Sequence, residues 1–166
     1  LERVLTLAAD RLESDYYLSE VITEVPGNYA ITDAVRNAYI DAVGGIESDY
    51  YRHNAFSTLL EAGGLNAQQV SDILRETGRI ESDYYRAALL EKLTAEYSDM
   101  PGMRDAYLDA AASMESDYYR ANVITRLLGE RGIPASEMSH VLNAATQLES
   151  DYYLQQVLAR VAAFST

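Results

Sequence analysis

The chain has 166 residues, 48% of them hydrophobic, a formal net charge of -13 and no cysteine. This composition suits a buried core, excludes disulfides and thiolate metal sites, and argues against nucleic acid, whose phosphates require Lys and Arg. No apolar run approaches the roughly 18 residues of a membrane-spanning helix, so direct membrane insertion of this segment is not expected.

The opening residues, Leu1-Glu2-Arg3-Val4, are neither an initiator Met nor a basic-then-apolar leader, which is the pattern of a processed chain or an excised fragment. Leu1, Leu5, Ala8 and Leu12 keep the spacing of one apolar face and predict a first helix. Ser14 is placed to cap a second, with its hydroxyl accepting a backbone N–H and Asp15 at the positive end of the helix dipole. That helix carries Tyr17, Val21, Ile22 and Val25 and is expected to stop at Pro26-Gly27-Asn28.

Thr32 and Asp33 open a third helix with Val35, Tyr39, Ile40 and Val43, ended by Gly44-Gly45. Ser48 opens the next, with Tyr51, Ala55, Phe56 and Leu59 inward and a stop at Gly63-Gly64. Asn66 caps a helix with Val70, Ile73 and Leu74 inward and Gly78 as terminator. Ser82 begins one with Tyr85, Leu89, Leu90 and Leu93, followed by a loop from Ser98 to Gly102. Met103, Tyr107, Leu108 and Ala111 define the seventh helix, and Ser116 opens the eighth, with Tyr119, Val123, Ile124 and Leu127. Gly129 and Gly132-Ile133-Pro134 end it, and Pro134 suits the first position of a helix carrying Met138, Val141, Leu142 and Ala145. Ser150 opens the last, with Tyr153, Val157, Leu158 and Val161, running to Thr166.

One string recurs through this series. Glu-Ser-Asp-Tyr-Tyr stands at Glu13–Tyr17, Glu47–Tyr51, Glu81–Tyr85, Glu115–Tyr119 and Glu149–Tyr153, always 34 residues apart. A fixed period of this length marks a repeat array. The motif supplies ten of the 26 acidic residues; the other 16 against 13 bases leave only -3, so the acidity belongs to the repeat. Ten helices in five hairpins, each with an apolar face that only a neighbour covers, predict an all-α fold: an α-solenoid, a right-handed superhelix of two-helix repeats. It forms a single repeat domain over 1–166, with units of about 1–30, 31–64, 65–98, 99–132 and 133–166.

The structural repeat motif is Ser14, Asp15 and Tyr17, then Ser48, Asp49 and Tyr51, Ser82, Asp83 and Tyr85, Ser116, Asp117 and Tyr119, and Ser150, Asp151 and Tyr153. The second Tyr shares the face of the apolar residues that follow and is expected in the core. The first lies about 100° away and is expected in the groove between hairpins, its hydroxyl bonded across. Arg52, Arg86 and Arg120 follow the inner copies and Leu18 and Leu154 the outer two; an Arg reaching the Asp of the adjacent copy is one expected ladder. The alternative reading is an acidic-aromatic ridge that binds cations or a basic partner.

Catalytic signals are weak. His53 and His140 stand in different units, read as an exposed helix residue and as a neighbour of a core Val, and no H-E-x-x-H, G-x-S-x-G, phosphate-loop or EF-hand pattern occurs. No catalytic, metal or cofactor residue is assigned, and no enzyme activity is expected. Met103 and Met138 fall at core spacing, and Met114 replaces Ile46, Ile80 and Leu148. Tyr29 and Tyr97 take equivalent loop-side positions, either packed locally or exposed on one rim.

The 34-residue hairpin resembles tetratricopeptide repeats in length but not in their W-x2-L-G-x2-Y pattern. Ser82-Asp83-Tyr84-Tyr85-Arg86-Ala87-Ala88-Leu89-Leu90 looks more like the first-helix opening of HEAT-like repeats. The S-D-Y-Y string with its later V-L-x-x-L is also similar to degenerate S-D-Y-E repeats of bacterial proteins, including tails of BlaR1-like M56 metallopeptidases. None of a peptidase's metal ligands is here, so that resemblance implies no peptidase activity. The expected function is a non-enzymatic scaffold binding a protein or peptide on its curved face, built from the less repeated helix positions. Two alternatives stand beside it, an extracytoplasmic sensory or regulatory segment of a larger bacterial membrane protein and a cation or small-ligand binder. Bacterial cytoplasm and periplasm both fit. The end helices, with one bare side each, are candidates for self-association or for contact with flanking sequence.

Overall fold

The computed structural model describes residues 1–100, 102–129 and 134–164. Among these the chain is all-helical: α1 (Glu2–Arg11), α2 (Asp15–Asn28), α3 (Asp33–Gly44), α4 (Asp49–Ala62), α5 (Ala67–Thr77), α6 (Asp83–Tyr97), α7 (Met103–Ala112), α8 (Asp117–Leu128), α9 (Met138–Ala145) and α10 (Asp151–Ala163), with a 3-10 turn at Ala135–Glu137. Each hairpin pairs an odd helix with the following even one. Between hairpins, even helices pack on even and odd on odd, giving two layers along one direction. One apolar cluster runs the whole length between them, from Leu5 to Val161.

Local side-chain caps explain two of the helix starts. Thr32 and Asn66 cap α3 and α5 through their side chains, and Asn66 with Gln69 completes a reciprocal capping box. Gln69 is fully buried because its amide also bonds Asn37 Oδ1 (2.9 Å) and the Asp33 carbonyl, joining α5 to α3. Tyr39 and Tyr107 are buried at the same position of the second and fourth hairpins. Their hydroxyls donate to the carbonyls of Ala55 (2.7 Å) and Val123 (2.9 Å), tying the two helices of each hairpin together. Gly63 and Gly64 end α4 at φ +67° and +70°, where a side chain is strained, and a Cβ on Gly64 would stand 2.8 Å from Arg36 Nη2.

Several boundaries differ from the sequence expectation. Pro26 does not stop α2; it lies inside the last turn, where Tyr29 N–H still reaches the Val25 carbonyl and the Asn28 amide caps the Glu24 carbonyl. Pro134 precedes a 3-10 turn and does not open α9. Leu1, Leu142 and Leu158 are 39%, 39% and 42% exposed instead of inward, because they stand on the first and last hairpins, with a neighbour on one side only. Met103 and Met114 are buried and Met138 partly so. Tyr97 is buried whereas Tyr29 is exposed, so the two are not a common rim. The expected break at Gly132-Ile133 and the last residues to Thr166 lie outside the described residues.

Candidate functional site

The repeated string starts every even helix, and its first structural task falls to Asp. Asp15, Asp49, Asp83 and Asp117 open their helices and reach across to the next hairpin. There their carboxylates accept the backbone N–H of Ser48, Ser82, Ser116 and Ser150 at 2.7, 2.7, 2.6 and 2.7 Å. Asp15, Asp49 and Asp117 also accept the N–H of Glu47, Glu81 and Glu149. An anion beside free helix N-terminal amides is electrostatically favoured, and a charged acceptor makes the bond stronger.

Ser14, Ser48, Ser82, Ser116 and Ser150 occupy the N-cap position, yet none makes the expected hydroxyl cap. Backbone geometry gives the reason. Thr32 and Asn66, which do cap, sit at ψ 168° and 169°; Ser48, Ser82 and Ser116 sit at ψ 120°, 111° and 116°. That rotation turns the side chain away and presents the N–H to the neighbouring Asp.

Arg52, Arg86 and Arg120 are buried and do not reach the Asp of an adjacent copy. Arg86 donates from Nε to the Ile80 carbonyl (2.9 Å), just beyond the C-terminus of α5, and from Nη1 to Ser113 Oγ (3.0 Å), just beyond α7. Arg52 bridges the Ile46 and Arg79 carbonyls, and Arg120 those of Met114 and Gln147. Each guanidinium therefore joins the ends of two successive odd helices, where the dipole favours a cation. The carboxylates near Arg86 and Arg120 are those of their own copies, Asp83 at 3.8 Å and Asp117 at 3.1 Å. Leu18 fills the equivalent buried place in the first hairpin.

The tyrosines form a surface feature. Within each copy the two rings meet edge to face at 5.0–5.1 Å. Between copies, Tyr16 meets Tyr51, Tyr50 meets Tyr85, Tyr84 meets Tyr119 and Tyr118 meets Tyr153 at 6.0–6.4 Å. Ten rings thus run unbroken from Tyr17 to Tyr152, in the T-shaped geometry that aromatic quadrupoles prefer. Tyr16, Tyr50, Tyr84, Tyr118 and Tyr152 are 48–63% exposed. Tyr51, Tyr85, Tyr119 and Tyr153 are half-buried and pack against the core, each also met by the first Tyr of the preceding copy, whereas Tyr17, on the first hairpin, has no preceding ring and is 62% exposed. No cross-hairpin bond through a motif Tyr hydroxyl occurs among the described residues; the ring makes the crossing instead.

Glu13, Glu47, Glu81, Glu115 and Glu149 are all exposed beside these rings, and their carboxylates have no ion-pair partner among the described residues. Hollows of about 460 and 490 Å³ recur along the strip, one holding Glu13, Tyr16, Glu47 and Tyr51, the next Glu47, Tyr50 and Glu81. A groove of about 590 Å³ between α2 and α4 continues onto Glu20, His53 and Asn54. His53 is half-buried, not exposed as expected, with its ring 5.2 Å from Tyr85; burial lowers its pKa below the usual histidine range. His140 is exposed and places Nδ1 2.6 Å from Asp105 across the hairpin junction.

Comparison with family models, curated proteins and solved structures returned no match to this chain. No group of three His, Asp or Glu converges as a metal site among the described residues. No described helix is long and apolar enough to cross a membrane.

Proposed function

We propose that the stacked hairpins are a right-handed α-solenoid of HEAT-like or tetratricopeptide-like kind, and that the chain is a non-enzymatic scaffold whose tyrosine strip binds an extended protein segment bearing Lys and Arg. The observation that carries this reading is the coincidence of half-exposed Tyr rings with unpaired Glu carboxylates at every copy of the motif. Tyr faces attract cations, above all guanidinium, and carboxylates beside them add charge complementarity. Tyr also gives a large, stiff contact area at small entropy cost. The motif positions themselves supply this face, in place of the less repeated positions favoured by the sequence. The packing of even helices on even and odd on odd supports the solenoid.

Ten of the 14 Tyr lie in the strip and the chain has no Trp, so tyrosine emission reports mainly on the strip. An unstructured peptide alternating Arg with Gly and Ser is titrated against its Glu-for-Arg counterpart. Saturable quenching by the Arg peptide is expected, weakened at least about ten-fold in a Tyr50→Ser, Tyr84→Ser, Tyr118→Ser triple variant. Equal response to the Glu peptide, or binding indifferent to those substitutions, would overturn the reading.

A further inference from the structure

The junction between neighbouring hairpins is built four times from the same parts, and the two ends of the chain each carry one half of a fifth. In every junction an Asp carboxylate accepts the next Ser N–H, and a first Tyr ring meets the next second Tyr. At the last hairpin, Asp151 is exposed, whereas its four counterparts are half-buried, and its carboxylate has no partner among the described residues. Beside it Tyr152 is 63% exposed, with Leu142 and Leu158 at 39% and 42%. The counterparts of those two leucines, Leu108 and Ile124, are 3% and 0% exposed. At the first hairpin the complementary half stands open. Ser14 is exposed where the other motif serines are half-buried, its N–H and that of Glu13 lack an acceptor among the described residues, and Tyr17 is 62% exposed. Leu1 and Val4 add 39% and 52% exposed apolar surface.

We infer that copies of this chain associate head to tail, with the last hairpin of one seated on the first hairpin of the next. Asp151 accepts the partner's Glu13 and Ser14 N–H groups, Tyr152 meets the partner's Tyr17 edge to face, and Leu142 and Leu158 are covered. The two faces complement each other and neither complements itself. The contact is therefore heterologous and leaves a free face of each kind on every oligomer, so growth is linear. This inference stands on the junction geometry and is independent of the peptide-binding reading.

Sedimentation velocity on the full chain from micromolar to millimolar tests it, alongside Asp151→Lys and Leu158→Glu on one face and Ser14→Pro, which removes the N–H, on the other. Circular dichroism establishes that each variant keeps its helices; Leu158→Glu, at an exposed position, guards against loss of fold. The expected result is an average mass that rises with concentration for the unaltered chain, association at least about ten-fold weaker in each variant, and a dimer that grows no further when Leu158→Glu is mixed with Ser14→Pro. A unaltered chain that stays monomeric throughout, variants that associate like it, or a mixture that stays monomeric would overturn the inference.

Discussion

Asp83 Oδ2 lies 2.6 Å from the backbone nitrogen of Ser116, thirty-three residues on, and this bond sets where one hairpin sits on the next. Asp83 has a side chain only 12% exposed, so the bond is shielded from solvent. Asp83→Ala leaves the Ser116 N–H without an acceptor and is expected to cost about 1.5–3 kcal/mol, the range for hydrogen bonds to charged groups. Asp83→Asn keeps an acceptor without the charge and is expected to cost about half of that. Denaturant unfolding of both variants measures the difference.

Ser82→Ala gives the opposite pattern. A capping hydroxyl contributes about 1 kcal/mol, but the Ser82 hydroxyl caps nothing. The expected change is within about 0.5 kcal/mol of zero, whereas Thr32→Ala, at a side-chain cap, costs about 1 kcal/mol. The same unfolding experiment separates the two; a loss at Ser82 equal to that at Thr32 would contradict the assignment.

Arg86→Ala removes a buried cation from acceptors of two hairpins and is expected to cost about 3 kcal/mol or more. Arg86→Leu, which copies the buried Leu18, fills the space and is expected to cost less, about 1–2 kcal/mol. Because the guanidinium is buried, high salt is expected to change either loss little, unlike a surface ion pair. Thermal melts at low and high salt test this.

Alkaline stability follows from Tyr39 and Tyr107. Burial raises both pKa values well above the usual tyrosine value, so in the fold they stay protonated where the unfolded chain ionises. The stability this contributes is whole below about pH 10, the unfolded pKa, and is lost as pH rises through the folded values. Absorbance titration is expected to show these two ionising only with cooperative loss of helix. Tyr39→Phe is expected to flatten the alkaline decline by up to about 1.4 kcal/mol per pH unit, while removing the hydroxyl bond to the Ala55 carbonyl.

Divalent cations are expected to have little effect. Four of the five motif Asp carboxylates already accept backbone N–H groups, which leaves Asp151 and the separated Glu carboxylates of the strip. Millimolar calcium or magnesium is expected to leave the melting temperature unchanged, since stabilisation requires a ligand present well above its dissociation constant. A clear upward shift would favour the cation-binding alternative.

The amino-acid sequence by itself determined the period of 34, the all-helical character, the helix starts at the motif serines and most inward positions. These follow from spacing, from Gly and Pro punctuation and from the recurrence of one string, all local properties of the chain. Tertiary structure decided how the motif is used. All five motif serines share a ψ of 111–120° that withholds the hydroxyl, Ser14 of the first hairpin included; whether the N–H then finds an acceptor depends on the Asp of the preceding hairpin. Whether Arg86 seeks a carboxylate of the adjacent copy or the Ile80 carbonyl and Ser113 hydroxyl at two helix ends depends on which groups stacking leaves unpaired beside it. The second Tyr follows the apolar face in sequence, but its cover comes from the first Tyr of another copy, as Tyr85 from Tyr50. Apart from the Ile80 carbonyl, such partners lie 27 to 35 residues away, and their register exists only once the helices pack; local propensity carries no information about it.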